Sequence, residues 1–289
     1  MDAMTRIESA LIQAVSRGES PDGPPRLAEA IRYSVFPGGA RLRPRLCLAV
    51  AAACGEDAPC LTDAAAAAIE LLHCASLVHD DLPSFDDAAL RRGKPSVHRA
   101  FGEPLAILAG DALIVRAFET LGRGADRVPA RLPLLIGVVA RAVGMPCGIV
   151  AGQAWECEQQ VQLGEYHRAK TGALFGGATA AGAAAAGAEP WEWRALGERL
   201  GEAYQVADDL RDVAGCADEL GKPTGRDLAL GRPSAVKELG VACAVNRLKE
   251  LVASAIDSIP NCRGSAMLRD LIAAESKQLL PKELSRRVA

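Results

Sequence analysis

Between residues 71 and 87 an apolar helical pattern runs into four carboxylates, Asp80, Asp81, Asp86 and Asp87, and two arginines, Arg91 and Arg92, follow closely. Few arrangements accommodate that stretch. Carboxylates crowded at the end of an apolar segment repel one another, and burying them without a counter-charge is costly. The segment therefore either ends at a solvated surface or brings its acidic end to a cation. An oxygen-only donor set suits magnesium, which keeps several waters and binds through one or two carboxylates plus substrate phosphates. The two guanidinium groups suit the same phosphates, because a planar fork matches their oxygens. A solvated acidic helix end before a basic turn and a magnesium–diphosphate site both stand open on these residues alone.

Geometry narrows the choice only in part. At about 100° per residue, His73, Leu77 and Asp80 share one helical stripe. Asp80 and Asp86 would not face one way on a straight helix. Pro83 disfavours helix at Leu82, so the sequence predicts a fray or kink there that lets Asp86 fold back toward Asp80.

A second acidic cluster, Tyr204-Gln205-Val206-Ala207-Asp208-Asp209-Leu210-Arg211-Asp212, lies far along the chain. Asp208 and Asp212 share a helix face, where like charges are mildly unfavourable without a cation. Facing helices of a bundle place such groups across one cavity, and Arg91, Lys170 and Lys222 are the cations that would complete the neutralisation. Elsewhere Pro37-Gly38-Gly39 leads into Arg41, Arg43 and Pro44. Backbone amides and arginines together hold anions, while the plain alternative is a helix–helix turn with exposed arginines. Gly110-Asp111 and Gln153 are polar positions inside apolar runs, either satisfied core groups or cavity-lining ones.

The remainder is alanine-rich with helical periodicity, and no run of alternating β-branched residues stands out. The fold class expected is all-α, one domain over residues 1–289. Helical patterns cover 104–122, 128–145 and 147–160, and 235–289 reads as helical with a turn at Pro260-Asn261. A net charge of −3 gives no nucleic-acid surface. Nine cysteines, an odd number with no CxxC pair, fit buried apolar residues in a reducing cytosol and hence a cytoplasmic protein. Residues 1–17 show no signal-peptide core. Thr171 to Ala188 is uncharged but almost wholly Ala and Gly, too weakly apolar to insert in a membrane; residues that small let two helices pack closely. No membrane span is expected.

Taken in order, Gly38-Gly39-x-Arg41-Leu42-Arg43-Pro44, His73, Asp80-Asp81-Leu82-Pro83-Ser84-Phe85-Asp86, Leu90-Arg91-Arg92-Gly93-Lys94-Pro95, Lys170-Thr171, Tyr204-Gln205-x-x-Asp208-Asp209-Leu210-Arg211-Asp212 and Gly221-Lys222-Pro223 resemble the trans-isoprenyl diphosphate synthases, or polyprenyl synthetases. The likeness covers roughly residues 30–235. Four residues between Asp81 and Asp86 resemble the bacterial and plant-type members. The resemblance implies a bundle of long helices around a central cavity, the isoprenoid synthase fold, assembled as a homodimer. It implies magnesium-dependent head-to-tail condensation of isopentenyl diphosphate with an allylic diphosphate, farnesyl diphosphate or shorter. By similarity Asp80, Asp81 and Asp86 hold magnesium from one wall, with Asp208 and Asp212 opposite. Arg91, Lys170, Thr171 and Lys222 bind the allylic diphosphate, and Arg43, His73 and Arg92 bind isopentenyl diphosphate. Gln205 lines the site near the reacting carbons, and Lys170, Gln205 and Lys222 are the implied catalytic residues.

Three departures stand out, one of them Arg232, which sits where a lysine is common and keeps the charge. Ala40 occupies a position where the family usually has lysine, so one phosphate contact is missing, with Arg41 as its candidate replacement. Asp87-Ala88-Ala89 replaces a more acidic run. Product length follows from size. Ala75 lies five residues before Asp80, about 7.5 Å back along the helix, where farnesyl-producing relatives often carry an aromatic floor. Ala75 and Ser76 are both small, which implies a deeper pocket and a C20 product, geranylgeranyl diphosphate, a unit used in carotenoid, chlorophyll-side-chain and quinone synthesis. The alternatives are a C15 product, with a residue of 104–122 closing the tube, an ionisation-initiated cyclase, and a catalytically silent partner subunit. A cyclase has no second diphosphate to occupy Arg43, His73 and Arg92; Ala40 is the one hint of a silent subunit.

Overall fold

In the computed structural model the described residues are 2–36, 38–158, 166, 168–214, 235–277 and 279, with the side chains of 212 and 214 left out. The longest apolar run sets the arrangement. Pro59, whose missing N–H costs nothing in a first turn, opens a helix that continues to Asp80. Its alanines and leucines, Leu61 and Ala64 to Leu72 among them, are almost wholly buried. Taken in chain order, α1 is Ala3–Ser16, α2 Pro25–Val35, α3 Leu42–Cys54, α4 Pro59–Asp80, α5 Val97–Phe101, α6 Glu103–Gly124, α7 Leu132–Val143, α8 Ile149–Ala154, α9 Ala173–Ala185, α10 Arg194–Ala214, α11 Ala235–Leu239, α12 Val241–Asp257 and α13 Ser265–Ser276. The main core gathers α1, α3, α6, α7 and α9 around α4. A second cluster joins α3 and α9 to α10, α12 and α13, and a third packs α10 against α11 and α12.

The expectation for the Ala/Gly stretch holds. Every residue of α9 is buried, and a Cβ at Gly182 would sit 2.2 Å from the carbonyl oxygen of Cys47 on α3. Only a residue without a side chain lets the two backbones approach so closely. One helix among the described residues, α4, is long and apolar enough to cross a membrane, but 83% of its apolar window is buried inside the protein. It is the central core helix.

Several boundaries differ from the sequence reading. The 128–145 pattern splits into a 3-10 turn, Pro129–Arg131, and α7. The 147–160 pattern gives α8 and a further turn, Trp155–Cys157, with 159 and 160 outside the described residues. The all-α class stands, with one addition: strands β1, Leu90–Arg91, and β2, Lys94–Pro95, form a two-residue antiparallel ladder that presents Arg91.

Candidate active site

The carboxylate-bearing end of α4 is shaped by chain reversal. The helix stops at Asp80, before Pro83, instead of fraying or kinking at Leu82. The Asp86 N–H then donates to the Asp80 carbonyl at 2.9 Å, Asp87 to Leu82 at 3.0 Å and Ala88 to Asp81 at 3.1 Å. The Asp86 backbone thus returns to that of Asp80, the fold-back that the sequence allowed.

Asp80 is 7% exposed. Its Oδ1 accepts from Gln153 Nε2 at 2.9 Å, and the same amide donates to the Ser76 carbonyl at 3.1 Å. The Lys170 ammonium lies 3.8 Å from Oδ2. Burial pushes the Asp80 carboxyl above the ordinary range, opposed by Lys170 and by the Gln153 bond. Asp81 is buried as well, and both its oxygens are engaged by Arg91, whose Nε lies 3.1 Å from each and whose Nη2 also bonds Oδ1. Burial raises its pKa too, against the pull of that guanidinium. The Asp86 charge is close enough to push both carboxyls further up. Of the adjacent pair Asp80 and Asp81, it is Asp81 whose two oxygens are tied to an arginine.

The Lys-Thr pair sits on a wide turn, Arg168–Gly172, whose i→i+5 bonding interrupts the approach to α9. A Cβ at Gly152 would lie 2.4 Å from both the backbone N and the Cα of Lys170. α8 consequently packs backbone to backbone against this turn and brings Gln153 and Glu156 beside the lysine. The Lys170 ammonium bonds Glu156 Oε1 and lies 5.8 Å from the Tyr166 ring centre, while the Tyr166 hydroxyl donates to the same Glu156 oxygen at 2.6 Å. Thr171 faces the other way. Its hydroxyl donates to Gln205 Oε1 at 3.2 Å, and Gln205 Nε2 donates to Asp209 Oδ1 at 3.1 Å. Asp209 Oδ2 accepts the Ala235 N–H at 2.7 Å. Asp208, half-buried, lies 3.6 Å from Arg211. One turn of backbone therefore touches both acidic segments, through Lys170 to α4 and through Thr171 to α10.

A third group lies on the α3 side. Arg43 Nη1 is 3.2 Å from His73 Nε2, and the guanidinium stacks 4.4 Å over the Phe175 ring centre. Burial first, then Arg43, Arg92 and Arg91, hold the His73 imidazole well below its ordinary value of 6.5. The ring is neutral, so Nε2 accepts from Arg43. His73 Nδ1 and Arg43 Nε are buried with no hydrogen-bond partner among the described residues. Orphaned polar atoms of this kind call for a ligand or water. The Arg92 guanidinium lies 3.1 Å from where a Gly39 Cβ would stand. A cleft beside these groups is lined by Tyr33, Cys74, Leu77, Asp81, Arg91 and Arg92, among others.

Arg41 does not replace the lysine missing at Ala40. Its side chain is 0% exposed, with Nε on Glu8 at 2.8 Å, Nη1 on Glu70 at 2.7 Å and Nη2 on the Val35 carbonyl at 2.9 Å. It ties α1, α2 and α4 together, and the exposed arginine of the sequence reading is a core residue.

Ala75 and Ser76 are buried on α4 below Asp80, and the Ser76 hydroxyl donates to the His73 carbonyl at 2.8 Å. Lys222 and the side chain of Asp212 lie outside the described residues. Among the described residues no three His, Cys, Asp or Glu side chains converge as a ready-made metal cluster. Sequence reasoning missed Glu156 and Tyr166 altogether. Gln153 had been visible only as a polar position in an apolar run.

A family model described as polyprenyl synthetase matches residues 24–265. The chain is 56% identical to the geranylgeranyl diphosphate synthase of Cereibacter sphaeroides over 98% of each chain. It superposes on an FPP/GFPP synthase from Zymomonas mobilis with a TM-score of 0.80 and 31% identity, covering 95% of this chain and 97% of the other. It superposes likewise on a geranyltransferase from Helicobacter pylori, solved with magnesium and isoprenyl diphosphate, with a TM-score of 0.79 and 28% identity over 96% and 98% of the two chains.

Proposed function

The chain belongs to the polyprenyl synthetase family, and from that premise we propose that it condenses isopentenyl diphosphate with an allylic diphosphate to give geranylgeranyl diphosphate, using the groups gathered around the Arg168–Gly172 turn. The observation that carries the reading is that turn: Lys170 lies at ion-pair distance from Asp80, and its neighbour Thr171 bonds the Gln205–Asp209 pair of the second acidic segment.

The oxygen donors of Asp80 and Asp86, whose backbones the chain reversal brings together, suit a hydrated magnesium ion whose remaining ligands would be waters and diphosphate oxygens. A magnesium ion held by these carboxylates would supply positive charge against the diphosphate leaving group. Asp208 would act from the α10 side. Lys170 and Arg91, with Lys222, bind the allylic diphosphate and stabilise negative charge on the leaving oxygens. Lys170 must exchange part of its contact with Glu156 for phosphate. The unpartnered Arg43 Nε and His73 Nδ1, together with Arg92, receive the diphosphate of isopentenyl diphosphate. Gln205, fixed between Thr171 and Asp209, lines the path of the reacting carbons. The buried alanine walls of α4 and α9 exclude water that would quench an allylic cation, and Ala75 leaves room for a C20 chain. Ile107, Leu108 and Val115 of α6 and Leu134 and Ile136 of α7 are exposed apolar residues; they supply a face for a second copy in a homodimer, to be tested by sedimentation.

Incubating the purified protein with magnesium, isopentenyl diphosphate and farnesyl diphosphate tests the whole reading. Geranylgeranyl diphosphate should appear and should vanish with EDTA. A hydrocarbon, or no elongation at all, refutes it.

A further inference from the structure

Only three non-glycine residues among those described have positive φ, and all three adjoin the site: Arg41 at +50°, Asp87 at +42° and Arg92 at +53°. Backbone held in a sparsely populated region persists where the surroundings over-determine it, and an observed outlier is a reason to look for function. The surroundings of Arg41 form part of the core. Those of Asp87 do not.

Asp87 follows Asp86 in the reversed loop. Its Oδ1 accepts from Arg99 Nη2 at 2.8 Å and lies 3.5 Å from His98 Nε2. His98 is buried, and among the described residues no hydrogen bond of full geometry reaches its Nε2. Its Nδ1 is 3.0 Å from the Ser96 hydroxyl, and the Ser96 N–H donates to the Ala89 carbonyl at 3.0 Å. With the tautomer protonated on Nε2, the ring points its proton at Asp87 and accepts from Ser96. The short helix α5 thus grips the loop at two points, the Asp87 carboxylate and the Ala89 carbonyl. Between that grip and the end of α4 the loop has little freedom, because Asp86, Asp87 and Ala88 each return a backbone bond to residues 80–82.

We propose that Asp87, held by Arg99 and His98 of α5, is a positioning residue that fixes Asp86 opposite Asp80 for binding of the magnesium–allylic diphosphate. The inference rests on the assignment of Asp80 and Asp86 made above. An ion pair as exposed as Asp87–Arg99, with half of each side chain in solvent, contributes little to global stability. Its effect is local: it selects one loop geometry. Partners that orient metal ligands from behind typically change metal affinity by about ten- to a hundredfold when removed.

Asp87→Asn isolates the charge, since asparagine adopts positive φ as readily as aspartate. Calorimetry with farnesyl thiodiphosphate and magnesium reads binding without turnover. Asp87→Asn and Arg99→Gln should each weaken that binding about tenfold, Arg99→Lys should restore most of it, and melting temperature and the KM for isopentenyl diphosphate should not move. Unchanged analogue affinity in both variants, or an equal rise in the KM for isopentenyl diphosphate, overturns the proposal. Asp80→Asn, measured alongside, separates the two levels. If it abolishes analogue binding while Asp87→Asn does nothing, the α5 grip alone is wrong; if it too binds normally, the site assignment fails and the grip with it.

Discussion

Replacing Ala75 by tyrosine tests depth and emptiness together. α4 is unbroken from Ala75 to Asp80, so the new ring starts about 7.5 Å below the carboxylate along the axis. Ala75 is 2% exposed. Were the space beside it solid core, the added ring would overpack it at a cost near the upper end of about 1–3 kcal/mol. For a chain of this size that is a fall in melting temperature of roughly 6–12 °C, taking about 2–4 °C per kcal/mol. Were the space a substrate channel, the ring would enter it at little cost, about 1 kcal/mol or less, and block elongation. The expected result is a melting temperature within about 3 °C of the parent and a shift from C20 to C15 or shorter products. Supplying dimethylallyl and isopentenyl diphosphates and resolving dephosphorylated products by chain length measures the second quantity. Persistence of C20 product, or a large thermal loss with no change in product, refutes the placement of the channel at Ala75.

Other perturbations follow from the same geometry. Asp80 carries a pKa raised above 3.8 by burial, so its charged form costs stability at neutral pH, and that cost falls away as pH drops through the raised folded-state value and is gone below the unfolded one. Asp80→Asn should lower kcat/KM by about a hundredfold or more while leaving the melting temperature at pH 7.5 equal or slightly higher; a clear thermal loss would contradict the assignment. His73 is held neutral, its pKa depressed below 6.5. The unfolded chain takes up a proton that the fold refuses, so stability is present above pH 6.5 and is lost as pH falls through the window below it, by up to about 1.4 kcal/mol per pH unit. Urea titrations from pH 5 to 7 should show that slope reduced in His73→Gln, and identical slopes would count against a neutral buried imidazole. Gly152→Ala must displace the Lys170 backbone, given the 2.4 Å approach. It should cost about 1–3 kcal/mol and raise the KM for farnesyl diphosphate more than that for isopentenyl diphosphate, as steady-state kinetics would show.

Much of the site was legible because its chemistry is local. Asp80, Asp86, Arg91 and Arg92 fall within one short stretch, and Pro83 predicted a break in the helix that lets Asp86 fold back; the backbone bonds show that return, with the helix ending at Asp80. The helical class followed from alanine-rich periodicity, and α9 behaves as a stretch of small residues must. What escaped was pairing between distant positions. Gln153 meets Asp80, and Glu156 meets Lys170 and Tyr166, only because α8 packs against the Arg168–Gly172 turn, and no periodicity records that approach. Arg41 looked like a surface cation beside Arg43. Its burial depends on Glu8 and Glu70, which lie on two other helices.

Joint grip by the two acidic segments is tested most directly by a double-mutant cycle on Asp80→Asn and Asp208→Asn, read as calorimetric affinity for farnesyl thiodiphosphate with magnesium. If both carboxylates serve one bound metal–diphosphate, the losses will be non-additive, with a coupling of about 1 kcal/mol or more that vanishes in EDTA. Losses that add within about 0.5 kcal/mol, with or without magnesium, would mean that the two segments act on separate sites.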